Sequence, residues 1–168
     1  ALRGQTARML SFVDEARAMG VDLTFDSYPW EAGSTMLDIA CPQESYSGGP
    51  RELLRRLQDP EWRSMTRGKS TSVLGRVDEM VVSAVSSEGN KWCEGLTVGA
   101  VAERRKSDPW DTICDLLVEE QLGIAFYNFG GDMGDVRVII THPAHMFCSD
   151  ALRIGGMPNP RLTISERK

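Results

Sequence analysis

The residues with the clearest chemical potential lie toward the C-terminus, in Ala144-His145-Met146-Phe147-Cys148-Ser149-Asp150 and in Arg161, eleven residues beyond that aspartate. A mostly apolar run enters Ser149-Asp150, and Gly155, Gly156, Pro158 and Pro160 follow, which reads as a buried strand giving way to a loop. In an α/β barrel the C-terminal mouth of a strand is where chemistry is done. An aspartate there can accept a proton, and an arginine beside it can clamp an anion through paired hydrogen bonds. The competing reading of Asp150 is a cap on a turn or on the next helix, a common post for short polar residues after strands.

Other chemistry-bearing residues form no constellation. His142 and His145 are three apart, but Pro143 lies between them, so they do not match the same-face histidine pair of a zinc helix. His142 reads as a surface turn residue and His145 as a strand or core residue. There is no phosphate loop and no GxSxG elbow. Cys41, Cys93, Cys114 and Cys148 are far apart and form no CxxC pair, which fits free thiols in a reducing cytoplasm.

Composition narrows the class. The 168 residues are 41% hydrophobic and 26% charged, enough apolar material for one core-bearing soluble domain. A net charge of -5, from acids spread along the chain, disfavours nucleic acid and anionic membrane surfaces as partners. No apolar run is long enough to span a membrane, and no charged-apolar-small signal pattern opens the chain.

The elements that must position these residues follow an α/β pattern. Residues 5–19 set Met9, Phe12, Val13, Ala16 and Met19 at helical spacing as the inward stripe, with Gly20 as the stop. Val21 to Tyr28 alternates as a strand ending at Pro29. The small residues Gly33-Ser34-Thr35 read as a loop at that strand's C-terminal end, the place where loops bind ligands, or as the start of a helix.

Arg51 to Gln58 and Glu61 to Arg67 are short helices, Lys69 to Arg76 an exposed polar stretch, and Val81 to Val85 a strand. Thr97 and Asp108-Pro109 open two helices, the second carrying Trp110, Ile113, Cys114 and Leu117 toward a core. Ile124 to Phe129 is a strand, and Asp132 caps a helix with Met133, Val136, Ile139 and Ile140 inward. That strand, this helix and the strand entering Asp150 suggest a parallel, right-handed crossover.

Several of these segments, in order, carry a resemblance. Asp26-Ser27-Tyr28-Pro29-Trp30-Glu31-Ala32-Gly33-Ser34-Thr35, then Leu54, Leu57 and Asp59-Pro60, then Asp108-Pro109-Trp110 with Cys114-Asp115-Leu116-Leu117, then His142-Pro143, Cys148-Ser149-Asp150 and Pro158, Pro160-Arg161 resemble the D-aminoacylase (N-acyl-D-amino-acid deacylase) family of the amidohydrolase superfamily.

The resemblance implies an α/β fold that is a fragment of a metal-dependent-hydrolase (β/α)8 barrel and not a closed barrel on its own. It divides the chain into residues 1–35, an αβ unit similar to helix 6 and strand 7; residues 36–95, an insertion over the active site; and residues 96–168, helices and strand 8 with a substrate loop. The implied activity is hydrolysis of N-acyl-D-amino acids, with N-acyl-D-glutamate and N-acyl-D-aspartate among the candidate substrates, to a D-amino acid and a carboxylate.

The resemblance makes Asp150 the general base that deprotonates a zinc-bound water and then protonates the leaving amine, and at most a weak metal ligand. It places Arg161 and Ser34 near the substrate's α-carboxylate and Tyr28 toward the scissile carbonyl or the carboxylate. Asn159 stands where the family usually has histidine before Pro160-Arg161. The family's metal ligands, histidines and a cysteine on earlier strands, have no counterpart in this sequence. The chain by itself is therefore expected to be inactive and to hold no zinc tightly, and to associate with itself or with the missing N-terminal part of the barrel. The alternatives are a non-catalytic carboxylate-binding or assembly module and another amidohydrolase branch.

Overall fold

The computed structural model describes residues 4–69 and 76–150, and these divide into two compact units, one of residues 4–33 with 129–150 and one within residues 34–128. Arg161, the Gly155 to Pro160 turn and most of the polar stretch from Lys69 to Arg76 lie outside the described residues.

In the first unit α1 (Thr6–Ala18) leads through Gly20, whose φ of 89° supplies the left-handed turn, to β1 (Phe25–Ser27). α6 (Met133–Ile140), capped by Asp132 accepting from the Asp135 amide at 3.0 Å, leads to β5 (His145–Phe147). Gly131 has to be glycine: its amide donates to Glu31 O at 2.7 Å, and a Cβ would lie 2.8 Å from the Glu31 backbone.

β1 and β5 are neighbouring parallel strands, with Phe25 opposite His145, Asp26 opposite Met146 and Ser27 opposite Phe147. The ladder extends through Phe25 N to Ala144 O at 3.0 Å and Cys148 N to Ser27 O at 3.2 Å. The strand expected from Val21 to Tyr28 is thus three residues long, and Val21, 49% exposed, lies outside it.

Two helix faces differ from expectation. α1 buries Thr6 and Leu10, while Met9, Phe12 and Met19 of the expected inward stripe are 43%, 59% and 78% exposed. α6 buries Val136 alone, with Met133 and Ile140 at the surface. The two helices pack on each other, and that contact, rather than the wider apolar stripe, selects the inward side.

The second unit holds the larger core. β2 (Gly33–Met36), β4 (Ala125–Asn128) and β3 (Val81–Ala84) form a sheet in the order β2-β4-β3, with β3 antiparallel to β4. Gly33-Ser34-Thr35 is therefore strand, neither loop nor helix start, because it finds a partner in β4 some ninety residues away: Leu37 N bonds Ile124 O at 2.9 Å. The expected crossover from β4 through α6 to β5 is also corrected. β4 and β5 belong to different sheets, and β5's parallel partner is β1.

Helices α2 (Pro50–Leu57), α3 (Pro60–Thr66) and α4 (Val98–Arg105) pack around α5 (Pro109–Glu119). Asp59, Thr97 and Asp108 cap α3, α4 and α5 by accepting from amides of the first turn. Trp110, Ile113, Leu116 and Leu117 of α5 are 2% exposed or less and meet Leu53, Leu57, Val82 and Ile124. Trp110 Nε1 donates to Arg63 O at 3.1 Å, so the indole is buried with its polar atom satisfied.

Glu120, just past α5 and 4% exposed, accepts from the amides of Ser86 and Ser87 at 2.6 and 2.8 Å, from the Ser87 hydroxyl, and from Asn90 Nδ2 at 2.7 Å. That set ties the turn after β3 to the end of α5. All three buried cysteines, Cys41, Cys93 and Cys114, and the half-buried Cys148 are free thiols.

Candidate active site

Parallel pairing puts the C-terminal ends of β1 and β5 side by side, and the residues leaving those ends are Tyr28, one position beyond β1, and Asp150, three beyond β5. Tyr28 is half-buried and Asp150 exposed. Asp150 has φ 45°, in the left-handed region that aspartate tolerates better than most residues, so the chain turns sharply as it presents this side chain. An exposed carboxylate at a parallel strand mouth can exchange protons with water and accept hydrogen bonds from a bound polar group.

Beneath that mouth the two strands are joined by side chains. Ser27 Oγ and His145 Nε2 are 2.9 Å apart. The Phe25 ring packs against both histidines, with centroids 5.4 Å from His142 and 5.6 Å from His145. His142 Nδ1 accepts from the Ala144 amide at 3.1 Å, so Nε2 carries the proton it shares with Asp14 Oδ1, also at 3.1 Å. His142 is therefore not the surface turn residue that Pro143 suggested: its side chain is 9% exposed and ties α1 to the turn before β5. His145 is a strand residue, as expected. The only sequence signals for this arrangement are the alternation that puts Phe25 and Ser27 on one strand face and the short separation of the two histidines.

Ser34 lies in β2 of the other unit, exposed, with its hydroxyl donating to Phe126 O at 3.2 Å. That bond uses the single proton a serine could offer a carboxylate. Arg161 falls outside the described residues.

Zinc centres of hydrolytic enzymes take at least three protein ligands. Among the described residues no group of three or more His, Cys, Asp or Glu side chains is placed to hold a metal ion, and both histidines are occupied by Asp14 and Ser27. The described residues do not make up a zinc site. Asp150 is the one candidate ligand at the strand mouth among the residues singled out from the sequence.

The fold has relatives among solved structures. The chain matches an N-acyl-D-glutamate deacylase from Bordetella bronchiseptica, solved with zinc and a phosphonate inhibitor that mimics the tetrahedral intermediate of its reaction. That match has TM-score 0.58 and 20% identity over 88% of this chain and 23% of that one. It matches a D-aminoacylase described as defining a novel subset of amidohydrolases with TM-score 0.56 and 21% identity, over 96% of this chain and 26% of that one. A D-aminoacylase studied for the role of its binuclear metal centre gives TM-score 0.54 and 20% identity, over 88% and 23%. No protein-family model matches the chain, and no curated protein sequence matches it.

The likeness is one of fold. The chain spans about a quarter of the length of these structures; its fold is mixed α/β and matches a portion of them, and the strands among the described residues form no closed barrel.

Proposed function

We propose that this chain supplies the strand-seven and strand-eight part of an N-acyl-D-amino-acid hydrolase of the amidohydrolase type, with Asp150 as its general base. The observation that carries the reading is the parallel β1–β5 pair, which sets Tyr28 and Asp150 at adjoining strand mouths in a fold matched to D-aminoacylase structures. In this reading Asp150 takes a proton from the attacking water and returns it to the departing nitrogen, leaving a carboxylate and a free D-amino acid. Tyr28 orients the acyl or carboxylate end through its hydroxyl, and Arg161 pairs the α-carboxylate. Ser34 lies in the other unit with its hydroxyl donating to Phe126 O, and this reading gives it no role.

The intact relatives' metal chemistry requires ligands that the described residues do not gather, so those ligands come from further polypeptide or a partner. N-acyl-D-glutamate and N-acyl-D-aspartate are the substrates of first choice, in a cytoplasmic enzyme.

The test is turnover of N-acetyl-D-glutamate against N-acetyl-L-glutamate by the longest polypeptide carrying this sequence, with and without a chelator. Asp150→Asn is expected to lower kcat on the D-substrate about 100- to 10,000-fold, the range of a general base. Unchanged kcat in that variant would remove Asp150 from the reaction. The 168-residue chain alone is expected to give no turnover and no stoichiometric zinc on metal analysis. Activity with one bound zinc per chain would overturn that expectation.

A further inference from the structure

β1 and β5 are three residues each, and strands this short fray from their ends unless something beyond the backbone ladder holds them. Ser27, the last residue of β1, holds β5 at two points. Its carbonyl accepts from the Cys148 amide at 3.2 Å, and its hydroxyl lies 2.9 Å from His145 Nε2. Any residue at position 27 supplies the first bond. The second needs a short hydroxyl on one strand and a long ring on the other, because His145 stands opposite Phe25 and reaches Ser27 along the diagonal. Either tautomer of His145 makes this bond, since a serine hydroxyl both donates and accepts.

The histidine is itself held. Its amide donates to His142 O at 2.9 Å, and its ring meets the edge of Phe25 with centroids 5.6 Å apart. His142 is tied in turn to Asp14 of α1. A ring fixed in this way anchors the serine hydroxyl, and the residues so gripped adjoin the strand mouths. Tyr28 follows Ser27 directly, and Asp150 lies two positions past Cys148.

We propose that Ser27 and His145 are positioning residues, a cross-strand clamp that fixes Tyr28 and Asp150 at the two strand mouths. What the clamp serves rests on the deacylase reading, but its action on the strands is measurable without turnover.

The experiment takes the strand mouths first. In the 168-residue chain Ser27→Ala should raise both the rate at which a disulfide reagent modifies Cys148 and the exchange rate of the Cys148 amide about tenfold, as the loss of one hydrogen bond warrants. Amide exchange in α1 and α6 should stay at wild-type rates, which a general loosening of the unit would not allow. Ser27→Thr, which keeps the hydroxyl, should restore Cys148 to wild-type behaviour, and His145→Phe, which keeps a ring without the nitrogen, should match Ser27→Ala. In the longest polypeptide carrying this sequence, Ser27→Ala should lower kcat on N-acetyl-D-glutamate about tenfold with KM changed by less than about twofold, and should cause no further loss in an Asp150→Asn background. A wild type without turnover removes the deacylase reading and leaves the clamp to be judged on exchange and thiol reactivity. Wild-type rates at Cys148 in Ser27→Ala overturn the clamp, as does failure of Ser27→Thr to restore them. Unchanged kcat in an active Ser27→Ala enzyme overturns its part in positioning Asp150.

Discussion

Burial treats the four thiols unequally, and that difference can be measured residue by residue. Burial, with a smaller push from the Asp38 carboxylate, drives the Cys41 thiol up to about 12. Cys114 is raised too, by burial first, despite the opposing charge of Arg63. Cys93 rises for the same reason, moderated by Arg105. A thiol that does not ionise at neutral pH is a poor nucleophile, and one at 1% exposure or less is also shielded from reagent. Titration of the native chain with a disulfide reagent should therefore modify the half-buried Cys148 first and the other three only as the chain unfolds. Rapid reaction of more than one thiol under native conditions would show that the core opens readily. The separation of these cysteines was legible in the sequence as free thiols, but which one faces solvent depends on contacts made by distant segments.

At the scale of elements the caps were the most legible features, because a cap bonds amides two or three residues away: Thr97, Asp108 and Asp132 each act where their spacing places them. Helix faces and strand partners were less legible, since they depend on residues far along the chain. Met9, Phe12 and Met19 keep helical spacing yet face out, and Gly33 to Met36 becomes strand only through β4. Glu120 is the sharpest case of a contact no local pattern announces.

Burial works against the charge of Glu120, but the Ser87 and Asn90 side chains and the Ser87 and Ser86 amides outweigh it and hold the carboxyl below the ordinary glutamate range. Its folded value is depressed from the reference 4.5, so its stabilising contribution is complete above that pH and is lost as pH falls through the folded value. Glu120→Gln, which leaves amide donors short of a charged acceptor, should cost about 1–3 kcal/mol at neutral pH. In denaturant titrations the gap between variant and wild type should narrow below about pH 4. A gap that stays constant with pH would mean that charge is not what these donors require.

At the scale of the molecule, sequence adjacency misled where topology decides. β4, α6 and β5 follow one another along the chain, but β5 finds its partner in β1, at the other end of the sequence. Among the described residues the same topology leaves the first unit with a two-stranded sheet. A parallel pair is ordinarily buried on both faces within a larger sheet, and two strands alone are marginal in water. Among the described residues neither outer edge of β1–β5 carries another strand, and Met146 and Phe147 are 50% and 65% exposed. Exposed apolar side chains beside strand edges without a partner are the kind of surface on which a second copy can add a strand. Sedimentation of the purified chain should therefore show concentration-dependent association. Phe147→Glu, which places a charge on that surface without touching the main core, should shift the distribution toward monomer. A wild-type chain that sediments as one monomer across the concentration range would show that β1 and β5 need no further strand.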